Sequence, residues 1–477
     1  MTRKRTTNCT GSRRFVSRRD FLGNVGGGLG AIAFADLLRA DGKLPAGGGL
    51  HHPATAKRVL MLFMSAGVSQ VDTFDHKPEL DKHHGKKITG KGNVQDLLFH
   101  AEGNLMRSSF NFKQYGQSGK WVSELFPHVG EHVDNLTFIH SMVADANNHA
   151  PAQWEMSTGF VRSGNPSVGS WVTYGLGSET DNLPAFVVIK ETDTPAGQAA
   201  SWGAGFLPTK YQGTVLQNVG DPILDLSPPG NYDPASQRAS FDFLRKLNEK
   251  HLRPRPEEGE LSARIAAYEL AARMQLSAPE ATDIAGESEA TRKLYGLDRK
   301  DKRHANYGRL CLLGRRLIER GVRFVTLYCG GSTQSQNSWD GHGGLKANHR
   351  HMAAICDQPI AALLTDLQAR GLLEDTLVVW TTEFGRTPTA EGSDGRDHNI
   401  AGFTIWMAGG GMTPGISYGS IDEIGFKAVE NPVRVADLHA TILWALGIDA
   451  NRLTYYHNGL ERKLTGADGG RVIHEIM

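Results

Sequence analysis

The amino-acid sequence predicts an α/β protein with a mainly parallel central sheet flanked by helices. Two observations carry this prediction. Continuous apolar runs of strand length recur along the chain, and stretches with the apolar spacing of helices lie between them. A strand covered by helices on both faces needs apolar side chains on both, so this alternation is typical of a parallel sheet.

The predicted elements follow one another along the whole chain. The strands lie at residues 58–64, 136–139, 184–189, 322–328, 377–381 and 403–407. The helices are predicted at 121–133, from 149, from 166, within 240–276, and at 307–320, 360–373 and 435–447. Residues 55–477 are expected to form a single domain, with loop and helical insertions near 78–119 and 192–304.

Residues 1–50 are predicted to be an export signal followed by a linker. Arg18 and Arg19 precede a weakly apolar, glycine-rich stretch at 23–38, which is the pattern of a twin-arginine signal. A basic surface arm is the alternative, although such an arm rarely carries the apolar run. The stretch is too short and too interrupted by glycine to span a bilayer. We therefore expect a periplasmic or secreted protein without a stable membrane anchor.

The charges of the chain nearly cancel, with 52 basic and 51 acidic residues. No net field then favours nucleic acid or an anionic membrane, and no nucleic-acid partner is expected. The four cysteines show no metal-knuckle spacing, and Cys311, Cys329 and Cys356 are expected to be buried free thiols. The 19 histidines, several of them beside acids, suit metal ligation better.

Candidate metal ligands follow several of the predicted strands. After the first strand, Asp72 supplies a carboxylate that either binds metal or caps a turn. Asp340 and His342 stand two residues apart in a glycine-rich loop, where glycine permits the turn that aligns both side chains on one ion. A turn-stabilising pair is the alternative for these two residues.

Two further groups flank the last two predicted strands. Glu383 is expected to bind metal, with a structural salt bridge as the alternative. Arg386 lies close by, and its planar guanidinium suits an anionic substrate. His398 is the strongest single metal candidate, and Asp397 stands next to it as a ligand or as an orienting partner.

The run at residues 147–159 follows the predicted strand 136–139, at the edge where open α/β sheets place their sites. Its spacing resembles the sulfatase motif, in which the nucleophilic residue opens Cys-x-Pro-Ser-Arg and Thr-Gly follows on the same helix. Pro151 and the Thr-Gly pair at 158–159 fall at the matching offsets from His149. The spacing therefore indicates the location of a cleft.

The reactive groups of that motif are absent from this run. His149 stands at the nucleophile position, Ala152 at the serine and Gln153 at the arginine. Without cysteine or serine at the first of these positions, a formylglycine mechanism is excluded. His149 is instead expected to act as a metal ligand, a general base or a nucleophile.

These segments together resemble one known family, the exported, sulfatase-like bacterial proteins called domain of unknown function 1501, placed in the alkaline-phosphatase superfamily. The segments are the export signal and residues 69–75, 149–159, 339–342, 383–388, 396–398 and 437–447. The resemblance implies an alkaline-phosphatase-like fold, with metal and substrate at the carboxyl ends of the strands. It does not imply a particular reaction.

The leading hypothesis is an exported metal-dependent hydrolase of sulfate or phosphate esters that lacks the usual sulfatase nucleophile. Its expected metal ligands are Asp72, Asp340, His342, Glu383, Asp397 and His398. They would hold a divalent cation, zinc or calcium, while His149 and Arg386 act on a small anionic ester or a sulfated or anionic polysaccharide.

The alternative is a non-catalytic, sulfatase-like binding protein for an anionic polysaccharide or a protein partner. The loss of the reactive residues around His149 favours this alternative. The acids and histidines retained at several strand ends favour the hydrolase.

Overall fold

The structure is a computed structural model, and it describes residues 49–87, 103–191, 193–218, 233–254, 280–331 and 337–477, together with 265 and 269. The predicted export signal lies outside the described residues. Among the helices that are described, none is both long enough and apolar enough to cross a membrane.

The described chain is built on a central sheet of nine strands. They are β1 (Arg58–Met64), β2 (Leu136–Val143), β3 (Phe186–Lys190), β4 (Thr214–Leu216), β5 (Phe324–Cys329), β6 (Thr376–Thr381), β7 (Phe403–Ala408), β8 (Ser417–Tyr418) and β9 (Val433–Arg434). The order across the sheet is β8-β2-β7-β6-β1-β5-β3-β4, and β9 also pairs with β2.

All pairings within this sheet are parallel except those of β7, which runs antiparallel to both β2 and β6. The mainly parallel sheet predicted from the apolar runs is therefore confirmed.

Strand β1 lies in the middle of the sheet, between β5 and β6. Its side chains alternate between two apolar cores: Leu60 and Leu62 belong to one, and Val59 and Phe63 to the other. All four are fully buried. Helices cover both faces of the sheet, which is why this strand is apolar at 59–64 instead of alternating with polar residues.

Ten helices have both ends among the described residues. They are α1 (Gln70–Thr73), α2 (Pro78–His83), α3 (Pro127–Gly130), α4 (His149–Thr158), α5 (Val168–Leu176), α6 (Pro234–Leu252), α7 (Glu289–Leu294), α8 (Lys302–Glu319), α9 (Leu345–Ala369) and α10 (Val435–Ala445). Helices α8 and α9 pack on one face of the sheet, and α5 and α10 pack on the other.

Short elements complete the described fold. Two-stranded ladders pair Phe112–Tyr115 with Lys120–Ser123, Gly385–Arg386 with His398–Asn399, Ser420–Ile421 with Ala428–Glu430, and Tyr455–His457 with Leu460–Arg462. Turns of 3-10 helix lie at Val133–Asn135, Gln198–Trp202, Thr209–Tyr211, Leu373–Asp375 and His474–Ile476.

Two predicted helices have different bounds in the structure. The helix predicted at 121–133 is wrong, because the segment begins inside a β-hairpin and contains only the helical turn of α3. Short apolar runs satisfy helix and strand spacing about equally well, and the hairpin turn at 116–119 decides the outcome. The helix predicted from residue 360 begins at Leu345 and continues through Pro359.

The cysteine prediction is confirmed for the described thiols. Cys311, Cys329 and Cys356 are all free and fully buried in the core between the sheet and helices α8 and α9. Burial raises the pKa of the Cys311 thiol well above its usual value, so it stays protonated and acts as a small apolar side chain.

The parallel strands place one set of loops at a common edge. The loops that follow β1, β2, β5 and β6 leave this edge, and the loop before the antiparallel β7 arrives there. The candidate site lies where these loops meet, as expected for the carboxyl ends of strands in an open α/β sheet.

Candidate metal centre

Four side chains from three segments converge at this edge. His149 opens helix α4, Asp340 and His342 lie in the loop between β5 and α9, and His398 lies in the short ladder before β7. One ligand-capable atom of each lies within 4.8 Å of the others. The structure thus brings together residues that lie up to 249 positions apart in the chain.

The Oδ1 atom of Asp340 lies at the centre of this cluster. It is 3.3 Å from His149 Nε2, 3.0 Å from His342 Nε2 and 3.6 Å from His398 Nε2. The Nε2 atoms of His342 and His398 are 2.9 Å apart. A tetrahedral zinc site with bonds of about 2.0 Å has edges of about 3.3 Å between ligand atoms, so these separations fit one.

The outer nitrogen of each imidazole is held by an oxygen acceptor. His149 Nδ1 lies 2.9 Å from Glu383 Oε1, His342 Nδ1 lies 2.5 Å from Glu391 Oε2, and His398 Nδ1 lies 2.6 Å from the Asn147 carbonyl oxygen. Carboxylate and carbonyl oxygens only accept, so the Nδ1 atoms donate. Each neutral ring then turns the lone pair of Nε2 inward.

Three lone pairs and one carboxylate oxygen therefore face one another. His149 Nε2 is buried and makes no hydrogen bond with the described residues, although Asp340 is adjacent. Buried polar atoms are nearly always paired, so this arrangement calls for a positive charge at its centre. The residues present fit a divalent cation.

The pKa values show the same demand for positive charge. Burial would raise the pKa of Asp340, but the three histidines and Arg386 outweigh burial and hold it well below its usual range. Burial lowers the pKa of His149, yet the neighbouring Asp340 and Glu383 carboxylates outweigh this and raise it overall. Without a cation, protons neutralise the cluster instead.

The structure gives Arg386 a different role from the predicted anion clamp. Its side chain is fully buried, with Nε donating to the Gly67 carbonyl at 2.9 Å and Nη2 donating to the Ala66 carbonyl and to Asp340 Oδ1 at 2.7 Å. A guanidinium enclosed in this way does not face a substrate. It fixes the position of Asp340.

Glu383, predicted as a metal ligand, lies behind His149 instead of in the cluster. Its buried carboxylate accepts hydrogen bonds from the Ala66 N–H at 2.9 Å and from Gln153 Nε2 at 3.0 Å, in addition to its contact with His149. These bonds fix the carboxylate, which in turn orients the imidazole. Gln153, at the position of the sulfatase arginine, therefore has a supporting role.

Asp72 is not brought into the cluster. Its carboxylate pairs with Arg396 Nε at 2.7 Å, and both side chains are fully buried. Ser69 and Ser108 donate further hydrogen bonds to it, at 2.6 and 2.8 Å. The predicted ligand is thus corrected to one half of a buried ion pair, because donors already surround both oxygens.

Asp397 belongs to a second group, which also contains His342 and Glu391. Asp397 Oδ1 accepts the N–H of His398 at 2.7 Å, so it orients this histidine from the backbone side. Glu391 was not predicted from the sequence, because it lies in a single β-bridge with Gly395 around a turn, with no predicted strand end or histidine spacing to mark it. Both carboxylates lie beside the candidate centre.

Phe384 packs against two of the imidazoles. Its ring centroid lies 4.9 Å from that of His149 and 4.4 Å from that of His398. The neighbouring Glu383 was predicted as a site residue, whereas no sequence pattern indicated a role for this aromatic ring. It forms an apolar wall that restricts both rings and keeps water from one side of the cluster.

The family of the chain is shown by its sequence. The family model described as Protein of unknown function (DUF1501) matches residues 56–477. The chain belongs to this family. The membership inferred from the motifs is therefore confirmed, while no curated protein matches the chain.

Solved structures similar to this DUF1501 chain include three with a described ligand or class. One is the sulfatase PsFucS1 from Pseudoalteromonas sp., with a TM-score of 0.35 and 13% identity over 90% of this chain and 75% of that chain. Another is Ps i-CgsB in complex with k-i-k-neocarrahexaose, with a TM-score of 0.36 and 11% identity over 84% of this chain and 74% of that chain. The third is a TAB5 alkaline phosphatase variant with Mg bound, with a TM-score of 0.32 and 11% identity over 82% of this chain and 98% of that chain. At identities this low, the roles of the site residues rest on the geometry of this chain.

Two other motif positions of the DUF1501 chain are structural. His439 is buried on α10, and its Nε2 donates to the Met156 carbonyl oxygen at 2.9 Å, which ties α10 to α4. Gly159 ends α4 with a positive φ of 80°, and a Cβ there would lie 2.4 Å from the Leu464 carbonyl oxygen. Only glycine fits this position without strain.

Proposed function

We propose that the protein is a metal-dependent hydrolase of sulfate or phosphate esters. The observation that carries the proposal is the convergence of three Nε2 lone pairs on Asp340 Oδ1. In each imidazole an oxygen acceptor at Nδ1 takes the ring proton, which leaves the lone pair on Nε2. A preorganised, electron-rich cluster at the carboxyl edge of the sheet suits a catalytic cation.

The donor atoms favour zinc over calcium. Calcium takes six to eight oxygen ligands, whereas His149, His342 and His398 offer nitrogens and Asp340 offers one oxygen. When bound, a divalent cation supplies Lewis acidity, which lowers the pKa of a water and attracts the anionic oxygens of an ester.

The remaining steps belong to side chains of the site. The His149 Nε2 lone pair and Asp340 Oδ1 face the cation in this proposal, and Glu383 and Arg386 hold both side chains there, so neither is free to attack an ester. Water is therefore the nucleophile. Its oxygen loses a proton as it bonds to sulfur or phosphorus, the ester S–O or P–O bond breaks, and the leaving alkoxide takes up that proton from Asp397 and departs as the alcohol. Asp397, beside His398, accepts the proton lost by the water.

The alternative, a non-catalytic binding protein, would use the same cluster to hold an anionic polysaccharide or a protein partner. The missing nucleophile at His149 is compatible with both functions, because a water-dependent hydrolase needs no nucleophilic side chain. Turnover separates the two.

The test combines metal analysis with ester hydrolysis. Zinc content by mass spectrometry and hydrolysis of 4-nitrophenyl sulfate and 4-nitrophenyl phosphate are measured for the wild type, for His342→Ala and for His83→Ala, whose histidine is exposed and outside the cluster. We expect one zinc per chain and turnover in the wild type and in His83→Ala, and loss of both in His342→Ala.

Two outcomes contradict the proposal. A wild-type protein that binds no divalent cation removes its basis. A protein that binds zinc but hydrolyses no sulfate or phosphate ester, including esters of saccharides, is the binding protein instead.

A further inference from the structure

A cavity outside the metal-ligand cluster lies beside β2, between this strand and the hairpin of residues 112–123. Its volume is about 200 Å³. One water occupies about 30 Å³ in the liquid, so the cavity has room for a ligand the size of a single sugar ring. None of its lining residues belongs to the metal-ligand cluster.

One wall of the cavity is an aromatic side chain that is held in place but open to solvent. Trp121 is 42% exposed. Its ring contacts His76, with centroids 4.6 Å apart, and His76 in turn stacks on Phe112 at 4.8 Å. A rigid aromatic face that is open on one side is the surface on which the apolar face of a sugar ring stacks.

The floor of the cavity offers an unsatisfied acceptor. Asp75 is 8% exposed, and its Oδ1 lies 2.9 Å from Lys77 Nζ. Its Oδ2 is buried and has no hydrogen-bond partner among the described residues. Buried carboxylate oxygens are nearly always paired, so a donor from a ligand would complete this one.

A cation and a hydroxyl also line the cavity. Lys120 Nζ donates to Ser417 Oγ at 3.0 Å, and both residues line the cavity. Asp75 is already neutralised by Lys77, and Lys120 adds positive charge to the cavity, so a metal cation is not the ligand that these groups suit. They suit hydroxyl groups together with an acidic substituent.

We propose that this cavity is a saccharide-binding subsite. One ring of an acidic polysaccharide stacks on Trp121, a ring hydroxyl donates to Asp75 Oδ2, and a sulfate or carboxylate substituent pairs with Lys120. The binding of the ring does not depend on the metal centre or on hydrolysis. The subsite would hold a polymer at a point separate from the metal-ligand cluster.

The experiment is isothermal titration calorimetry of the full chain with four hexasaccharides. They are sulfated (chondroitin sulfate and heparan sulfate), carboxylated (oligogalacturonate) and neutral (cellohexaose). We expect binding of at least one acidic hexasaccharide, with affinity at least tenfold lower for Trp121→Ala and for Asp75→Asn. The matched control is Tyr456→Ala, since Tyr456 is a 67% exposed aromatic residue on a different hairpin. The control variant should bind the hexasaccharide with the affinity of the wild type.

Two further titrations separate this proposal from the hydrolase: one of the wild type in the presence of a chelator, and one of the His342→Ala variant. Saccharide affinity that persists under both conditions supports the subsite whether or not the protein has esterase activity. The subsite is overturned if no hexasaccharide binds, if Trp121→Ala binds as tightly as the wild type, or if only His342→Ala loses binding. Because Trp121 is exposed, its variant remains informative even where Asp75→Asn fails to fold.

Discussion

Arg386 Nη2 lies 2.7 Å from Asp340 Oδ1, and this guanidinium has no exposed surface. The same carboxylate oxygen faces three imidazole nitrogens. A buried arginine therefore holds the acidic member of the candidate metal centre, and the two ladder strands Gly385–Arg386 and His398–Asn399 carry Arg386 next to His398.

Arg386→Lys tests this positioning role. Lysine keeps the charge but loses the fork that donates to Asp340 and to backbone carbonyls at the same time. We expect zinc affinity to fall about 10–100-fold, the range for residues that support a metal ligand. Competition with a chelator of known affinity measures it. Arg350→Lys, at a 59% exposed side chain, is the control and should leave zinc affinity unchanged.

Asp72→Asn tests whether the Asp72 carboxylate is a structural ion-pair partner or a metal ligand. The substitution leaves the fully buried Arg396 without its charged partner, which costs about 3–5 kcal/mol of unfolding free energy. Urea denaturation should record this loss, while zinc stoichiometry of the folded variant stays that of the wild type. A stable variant that has lost zinc would restore Asp72 as a ligand.

Gly159→Ala tests the end of helix α4, which begins at His149. Alanine at φ 80° is strained, and its Cβ would meet the Leu464 carbonyl oxygen at 2.4 Å. Gly164→Ala is a matched control, since Gly164 also has a positive φ but no atom within 4 Å of the Cβ that alanine would add. We expect a loss of about 1 kcal/mol for the control and clearly more for Gly159→Ala, by chemical denaturation. Equal losses would show that the Leu464 contact relaxes freely.

Glu155 predicts a pH dependence of stability. Burial raises its pKa from 4.5 to about 7, although the Asp145 N–H donates to its carboxylate. A carboxyl group whose pKa is raised by folding contributes fully to stability at pH values below its unfolded-state pKa of 4.5, and this contribution is lost as the pH rises through its folded-state pKa of about 7. We therefore expect the wild type to lose up to about 3 kcal/mol of unfolding free energy between pH 4.5 and pH 8, and Glu155→Gln, which has no carboxyl group at this position, to lack this loss.

The measurement is urea denaturation at pH 5 and pH 8 for the wild type, Glu155→Gln and the exposed control Glu461→Gln. The wild type and the control should both lose more stability at pH 8 than Glu155→Gln does. Identical pH profiles for all three proteins would mean that Glu155 titrates normally.

The export prediction is tested at the paired arginines. Replacing Arg18 and Arg19 together with lysine keeps the positive charge of the amino terminus but removes the pair that defines a twin-arginine signal. Cell fractionation should then find the variant in the cytoplasm and the wild type outside it. Unchanged export of the double variant would support the alternative of a basic surface arm.

Much of the architecture was predictable because it depends on local pattern. The run at 58–64 is apolar at nearly every position and has the length of a strand, which is the pattern of a strand buried on both faces, so the sequence predicts its place in a parallel sheet. Asp340, His342 and His398 were likewise found as polar residues beside strand ends. The segment at 121–133 was mispredicted because its spacing suits either element and the turn at 116–119 selects the hairpin.

The sequence by itself predicted Asp340, His342 and His398 as candidate metal ligands, and it determined that no cysteine or serine stands at position 149. Only the tertiary structure decided what each ionisable group pairs with. Glu383 contacts His149 across 234 residues, and Arg396 reaches Asp72 across 324. Local spacing carries no information on such partners. They are selected by the packing of loops from separate strands, and this packing distinguishes a ligand from the residue that holds it.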